Sequence, residues 1–158
     1  MHDPMTIESQ GFEQLPAGGG WLVDESMFRL LVSFEVHKAQ RLRYSVSVVC
    51  FTVEPALAAD GEASPSSVAE GITRYLRRTD AVASWAEGWV SLLLIDAETT
   101  HLPSILDRLT TRLETVAWSA GGSSYPRTAI QAEDMLRQAV DLMGRARQEG
   151  GNRLYVAS

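Results

Sequence analysis

The chain has 158 residues, 45% of them hydrophobic and 22% charged, and a formal net charge of −6. This is the composition of one globular domain with a sizeable core. It gives no electrostatic support to a nucleic-acid or anionic-membrane partner, no apolar run approaches the roughly 20 residues that span a bilayer, and MHDPMTIESQ carries no signal-peptide pattern.

Residues 1–22 read as a flexible tail and 23–158 as the folded domain. LPAGGG has no strand before it and no Gly-Lys-Ser/Thr after it, so it is a linker rather than a phosphate-cradling loop. A helix is predicted from about Ser26, with Met27, Leu30, Leu31 and Phe34 as its apolar face. Val46 to Val53 is apolar on both faces, as befits a central strand covered on both sides, and holds the single cysteine, Cys50, as a buried reduced thiol. One cysteine excludes an internal disulfide, and a cytoplasmic location is expected. Asp60 to Ser67 is a loop, followed by a helix over Val68 to Arg78.

Ala81–Trp85 and Trp89–Ile95 read as strands joined by a tight Ala86-Glu87-Gly88 turn, where Gly88 supplies a positive φ. Leu102, Ile105, Leu106, Leu109 and Leu113 form a helical stripe with Thr100 as its cap. Val116 to Ser124 is predicted as a strand. The last long helix carries Met135, Leu136, Ala139, Leu142, Met143 and Ala146 and stops at Gly150-Gly151. Leu154 to Val156 closes the chain as a short strand. The order α-β-α-β-β-α-β-α-β with one hairpin implies an α/β (α+β) domain, a mixed sheet with helices packed on it.

Several short motifs share an order. Arg77-Arg78-Thr79-Asp80-Ala81-Val82-Ala83 precedes the hairpin, and Trp89-Val90-Ser91-Leu92-Leu93-Leu94 leaves it. Ser119-Ala120-Gly121 is followed by Tyr125-Pro126, then by Ala132-Glu133-Asp134-Met135-Leu136, and AVDLMGRARQEGGNR ends the series. Together, over about Met27 to Val156, they resemble GGDEF domains, the diguanylate cyclases that make cyclic di-GMP. The resemblance implies a ferredoxin-like, nucleotide-cyclase-like core.

It also implies lost chemistry. Where the family has its signature, this chain has Trp85-Ala86-Glu87-Gly88-Trp89. The paired glycines that let backbone approach a nucleotide are replaced by Trp85 and Ala86. The family's metal-binding Asp corresponds to Thr52 in Thr52-Val53-Glu54, and threonine supplies no hard anionic ligand. The guanine-binding segment is absent from 55–67, and Val140, Gly144, Arg147 and Gly151 replace further family residues. Cyclase activity is therefore expected to be lost, with no catalytic residue, metal or cofactor.

One family element survives. Arg77 and Asp80 match the R-x-x-D inhibitory site that binds cyclic di-GMP, with Arg74 and Arg108 as further cations, although Ser84 replaces another family arginine. The plain alternative is an exposed ion pair. Two functions stay open: a cyclic di-GMP receptor, or a nucleotide-independent protein-interaction or homodimerisation scaffold. A rebuilt enzyme around Glu54 and Glu87 is a third. Trp85 and Trp89 are expected either as core filling the vacated pocket or as an exposed protein-binding hot spot. His2, His37 and His101 lack metal-ligand spacing, and Ser119, Ser123 and Ser124 lack a His-Asp partner set.

Overall fold

A computed structural model describes residues 19–55, 64–111 and 116–158. Its strands are β1 (Trp21–Leu22), β2 (Val46–Pro55), β3 (Ala81–Ser84), β4 (Trp89–Ile95), β5 (Val116–Tyr125) and β6 (Leu154–Val156). Its α-helices are α1 (Glu25–Leu42), α2 (Pro65–Ile72), α3 (Leu102–Thr110) and α4 (Ala132–Gln148), and short 3-10 turns span Thr73–Tyr75 and Thr99–His101. The strands form one six-stranded sheet in the order β1-β3-β4-β2-β5-β6. β2 runs antiparallel to both β4 and β5, β3 and β4 form the predicted hairpin, and β1 and β6 add to the edges in parallel.

The strand period of two explains the layering. Val46, Val48 and Cys50 of β2 face α1 and α4, where they pack with Phe28, Val32, Met135 and Ala139. Val49, Phe51 and Val53 face α2 and α3, where they pack with Ile72, Leu102 and Leu106. Both faces of β2 are thus covered, as its unbroken apolar run predicts. α4 lies against β5 at Gly121, where an added Cβ would come within 2.2 Å of the Ala139 carbonyl oxygen. No larger residue fits that backbone-to-backbone contact.

Ser47 Oγ donates to the Ala97 carbonyl at 2.7 Å and shares a hydrogen bond with Ser124 Oγ at 2.6 Å, while Ser123 Oγ donates to the Met135 carbonyl at 2.7 Å. Among these strand serines, Ser47, Ser123 and Ser124 thus lock buried layers together, with their hydroxyls already occupied.

The structure departs from the sequence reading in several places. Trp21 and Leu22, expected within the tail, form β1, because the edge of β3 offers unpaired backbone groups: Trp21 N–H donates to the Asp80 carbonyl and Val23 N–H to that of Val82. The buried face of α1 is not the expected one. Phe28, Val32, Val36 and Ala39 form its buried stripe; of the expected residues Leu31 is half-buried against the same core, whereas Met27, Leu30 and Phe34 are exposed. The helix after the loop ends at Ile72, and the chain narrows into a 3-10 turn before Arg77. Thr100 caps nothing. It sits inside a 3-10 turn closed by Glu98 N–H donating to His101 Nδ1, so α3 starts from His101. Leu113 of the predicted stripe and residues 60–63 of the predicted loop lie outside the described residues, while Ser64 caps α2 and Pro65–Ser67 form its first turn instead of loop.

Candidate functional site

Two places on the fold answer to the sequence expectations, and both flank the β3–β4 hairpin. The first is its turn. Trp85 N–H donates to the Trp89 carbonyl at 2.8 Å, and Gly88 N–H closes the turn onto the Trp85 carbonyl at 2.9 Å. Gly88 has φ 112°, a conformation that L side chains rarely adopt. The Trp85 indole turns inward and is 6% exposed. It stacks on Trp89 with centroids 5.9 Å apart, meets Phe28 edge-on at 6.2 Å, and donates from Nε1 to Ser91 Oγ at 2.7 Å. The Arg29 guanidinium covers its outer face at 4.9 Å. Glu25 of α1 then accepts from the Ala86 N–H at 2.8 Å, fastening the turn to the first helix.

This is a packed aromatic plug rather than a cradle. Of the two expectations for the pair, Trp85 is core and Trp89 is half-buried beside it. Thr52 pairs directly with Trp89 across β2 and β4, and its hydroxyl donates to the Ser119 carbonyl at 3.5 Å. Glu87 is exposed at the tip, and the side chain of Glu54 lies outside the described residues. No group of three or more His, Cys, Asp or Glu close enough to hold a metal ion occurs among the described residues.

The second place is the turn Arg77-Arg78-Thr79-Asp80, closed by Asp80 N–H donating to the Arg77 carbonyl at 2.9 Å. Asp80 is 3% exposed, and its carboxylate is fully engaged within the fold. Oδ2 accepts from Arg77 N–H at 3.1 Å and Arg77 Nε at 3.3 Å, and Oδ1 accepts from the Ile95 N–H at 3.0 Å. Arg77 also donates from Nη2 to the Ile95 carbonyl. Asp80 is thus a clasp between the start of β3 and the end of β4 that sets the direction of Arg77.

Arg77, Asp80 and Arg108 line one cleft of about 340 Å³, together with His101, Ser104 and Asp96. Arg74 is exposed on the preceding 3-10 turn and does not line it, because the helix ends before the turn and rotates that side chain away. His101 and Ser104 were not singled out for this cleft in the sequence. The signal was their spacing, since Ser104 precedes Arg108 by one helical turn and His101 by two.

The fold is that of GGDEF domains. No protein-family model matches this chain, and no curated protein matches it by sequence. Among solved structures, the GGDEF domain of YfiN (TpbB) from Pseudomonas aeruginosa superposes with a TM-score of 0.75 at 18% identity, covering 87% of this chain and 97% of that one. The GGDEF domain of DgcB from Caulobacter crescentus, solved in complex with c-di-GMP, gives 0.67 at 9% identity over 87% and 89% of the two chains. The diguanylate cyclase SiaD of P. aeruginosa, solved with its activator SiaC, gives 0.73 at 17% identity over 97% of this chain and 66% of that one.

Proposed function

We propose that this chain is a catalytically inactive GGDEF-fold regulatory domain of cyclic di-GMP signalling. The carrying observation is the plug. Trp85 and Trp89 stack where the signature turn should open, with Thr52 across from them in place of a metal-binding carboxylate. Without a divalent ion the charge on a transferring phosphoryl group is not neutralised. Incubation with GTP and Mg²⁺ or Mn²⁺ is expected to give no cyclic di-GMP; measurable product would overturn the reading.

The regulatory ligand on this reading is cyclic di-GMP, held in the cleft by Arg77 and Arg108 through charge-assisted hydrogen bonds to phosphate. Asp80 acts there as a positioning residue, because its oxygens are already spent on Arg77 and Ile95. The complex of the DgcB domain with c-di-GMP supports the ligand class. Isothermal titration calorimetry tests it: heat with cyclic di-GMP and none with GTP is expected, and Arg77→Ala or Arg108→Ala should weaken binding without changing the melting temperature by more than a few degrees. Unchanged affinity in both variants would rule the cleft out.

A second reading, a nucleotide-independent interaction or dimerisation module, is favoured by one specific observation. Leu30, Phe34 and Leu42 of α1 are 61%, 58% and 68% exposed, an apolar face of the kind that marks interaction sites. Light scattering that shows self-association unaffected by cyclic di-GMP is its signature, and the SiaD–SiaC complex is a precedent for protein partners on this fold.

A further inference from the structure

A groove of about 710 Å³ runs between α1 and the β1–β3 edge of the sheet, floored by Val23, Leu31, Tyr44, Leu93 and Ile95. Its acids are already neutralised. Glu35 pairs with Lys38 at 3.2 Å and accepts from the Tyr44 hydroxyl at 2.7 Å, and Asp80 is held by Arg77. Lys38, which also lines it, is spent on Glu35, but Arg78 lines it and has no ion pair among the described residues. The result is an apolar trough with one unpaired arginine where Trp21 enters, on a chain of net charge −6.

We propose that this groove is the docking site of the chain's own residues 1–18. That segment holds Asp3, Glu8 and Glu13 and no Lys or Arg, with Met5, Ile7, Phe12 and Leu15 spaced between them. Its chemistry complements the groove in both polarity and charge.

Its position does so as well. The segment joins the described chain at Gly19–Gly20, next to Trp21, whose ring lines the groove and whose Nε1 donates to the Arg78 carbonyl at 2.9 Å. α1 has 18 residues and is about 27 Å long. The nine steps along the chain from Phe12 to Trp21 reach about 30 Å when extended, so Phe12 and Leu15 can cover the trough. The tether makes docking intramolecular, with an effective concentration in the millimolar range.

The proposal is independent of the nucleotide reading. It is tested by isotope-edited nuclear Overhauser spectroscopy on the full chain. Cross-peaks from Phe12 and Leu15 to the methyl groups of Met27, Leu31 and Leu42 are expected in a uniformly labelled sample. They should be absent from a filtered experiment on mixed labelled and unlabelled protein. In the doubly substituted chain Phe12→Asp, Leu15→Asp the methyl resonances of Met27, Leu31 and Leu42 should shift from their positions in the parent chain, and binding of an apolar dye should rise several-fold. Absence of these cross-peaks, unmoved methyl resonances in the substituted chain, or appearance of the cross-peaks in the mixed sample, which would seat a second copy, each overturns the proposal.

Discussion

Replacing Trp85 by alanine tests whether the hairpin turn is a structural plug. The indole is 6% exposed and touches Phe28 and Trp89, so its removal falls in the class of buried aromatic truncations, which cost about 3–5 kcal/mol. The aromatic pairs account for about 1 kcal/mol each of that loss. The Ser91 hydroxyl, buried and bonded at 2.7 Å to the indole, is left without its partner at a further cost of about 1 kcal/mol. Trp85→Ala should therefore lose about 4–6 kcal/mol. At about 3 °C per kcal/mol for a chain of this length, its melting temperature should fall by about 12–18 °C. Trp85→Phe keeps the ring contacts and gives up mainly the hydrogen bond, so it should lose only about 1–2 kcal/mol. Urea titration at a constant m-value reads both. A loss in the alanine variant below about 1.5 kcal/mol, or equal losses in the two variants, would show that the indole is not packed as described.

Four further outcomes follow from the same geometry. Asp80→Ala should lose about 2 kcal/mol, because it leaves the part-buried N–H groups of Arg77 and Ile95 without their acceptor, while Arg77→Ala should lose less than about 1 kcal/mol; equal losses would contradict the clasp. Gly121→Ala should lower stability by at least about 1–3 kcal/mol, since the added carbon meets α4 backbone that no side-chain rotation can clear; an unchanged melting temperature would refute the contact. Restoring glycines with Trp85→Gly and Ala86→Gly should yield no cyclic di-GMP from GTP while Thr52 stands opposite, and product would mean that the turn alone withheld activity. Burial pushes the Cys50 thiol up to about 12, and burial together with the Glu35 carboxylate pushes the Tyr44 phenol up to about 12. Both groups are neutral in the fold and lose protons more readily when unfolded. Their contribution is therefore complete below the unfolded values, about 8.5 for Cys and 10 for Tyr, and is lost as pH rises to about 12. Denaturation curves between pH 8 and 12 should show this decline, and Cys50 should resist thiol reagents at pH 8 until the chain unfolds.

The strands β2 to β6 and their order along the chain were legible from apolar runs bounded by turns, but their order within the sheet comes only from the backbone pairing. The orientation of α1 was not legible. Met27, Phe28, Leu30, Leu31, Val32, Phe34 and Val36 cover more than half its circumference, so helical periodicity fits two faces equally well. Only the partners across β2 and α4 choose between them. β1 escaped notice because two residues carry no periodicity, and their pairing is specified by backbone groups near Asp80. The cleft was half legible. The spacing of Arg77 and Asp80 located it, but the acceptor role of Asp80 depends on the Ile95 N–H, a backbone group fifteen positions away that sequence pattern does not mark. The aromatic plug was half legible: composition marked Trp85 and Trp89 as unusual at a tight turn, but only the packing of Trp85 on Phe28 and its bond to Ser91 decide for burial over an exposed hot spot.

The two-residue strand β1 has a mechanical consequence. Gly20 N–H holds the Thr73 carbonyl, Trp21 N–H holds that of Asp80, and the Trp21 indole holds that of Arg78, so the incoming chain is stitched to both sides of the Arg77–Asp80 turn. Tension or torsion applied ahead of residue 19 arrives at that turn before it reaches any helix. A displacement of Trp21 is carried by these three hydrogen bonds to the carbonyls around Arg77, so the strand and the turn move as one unit.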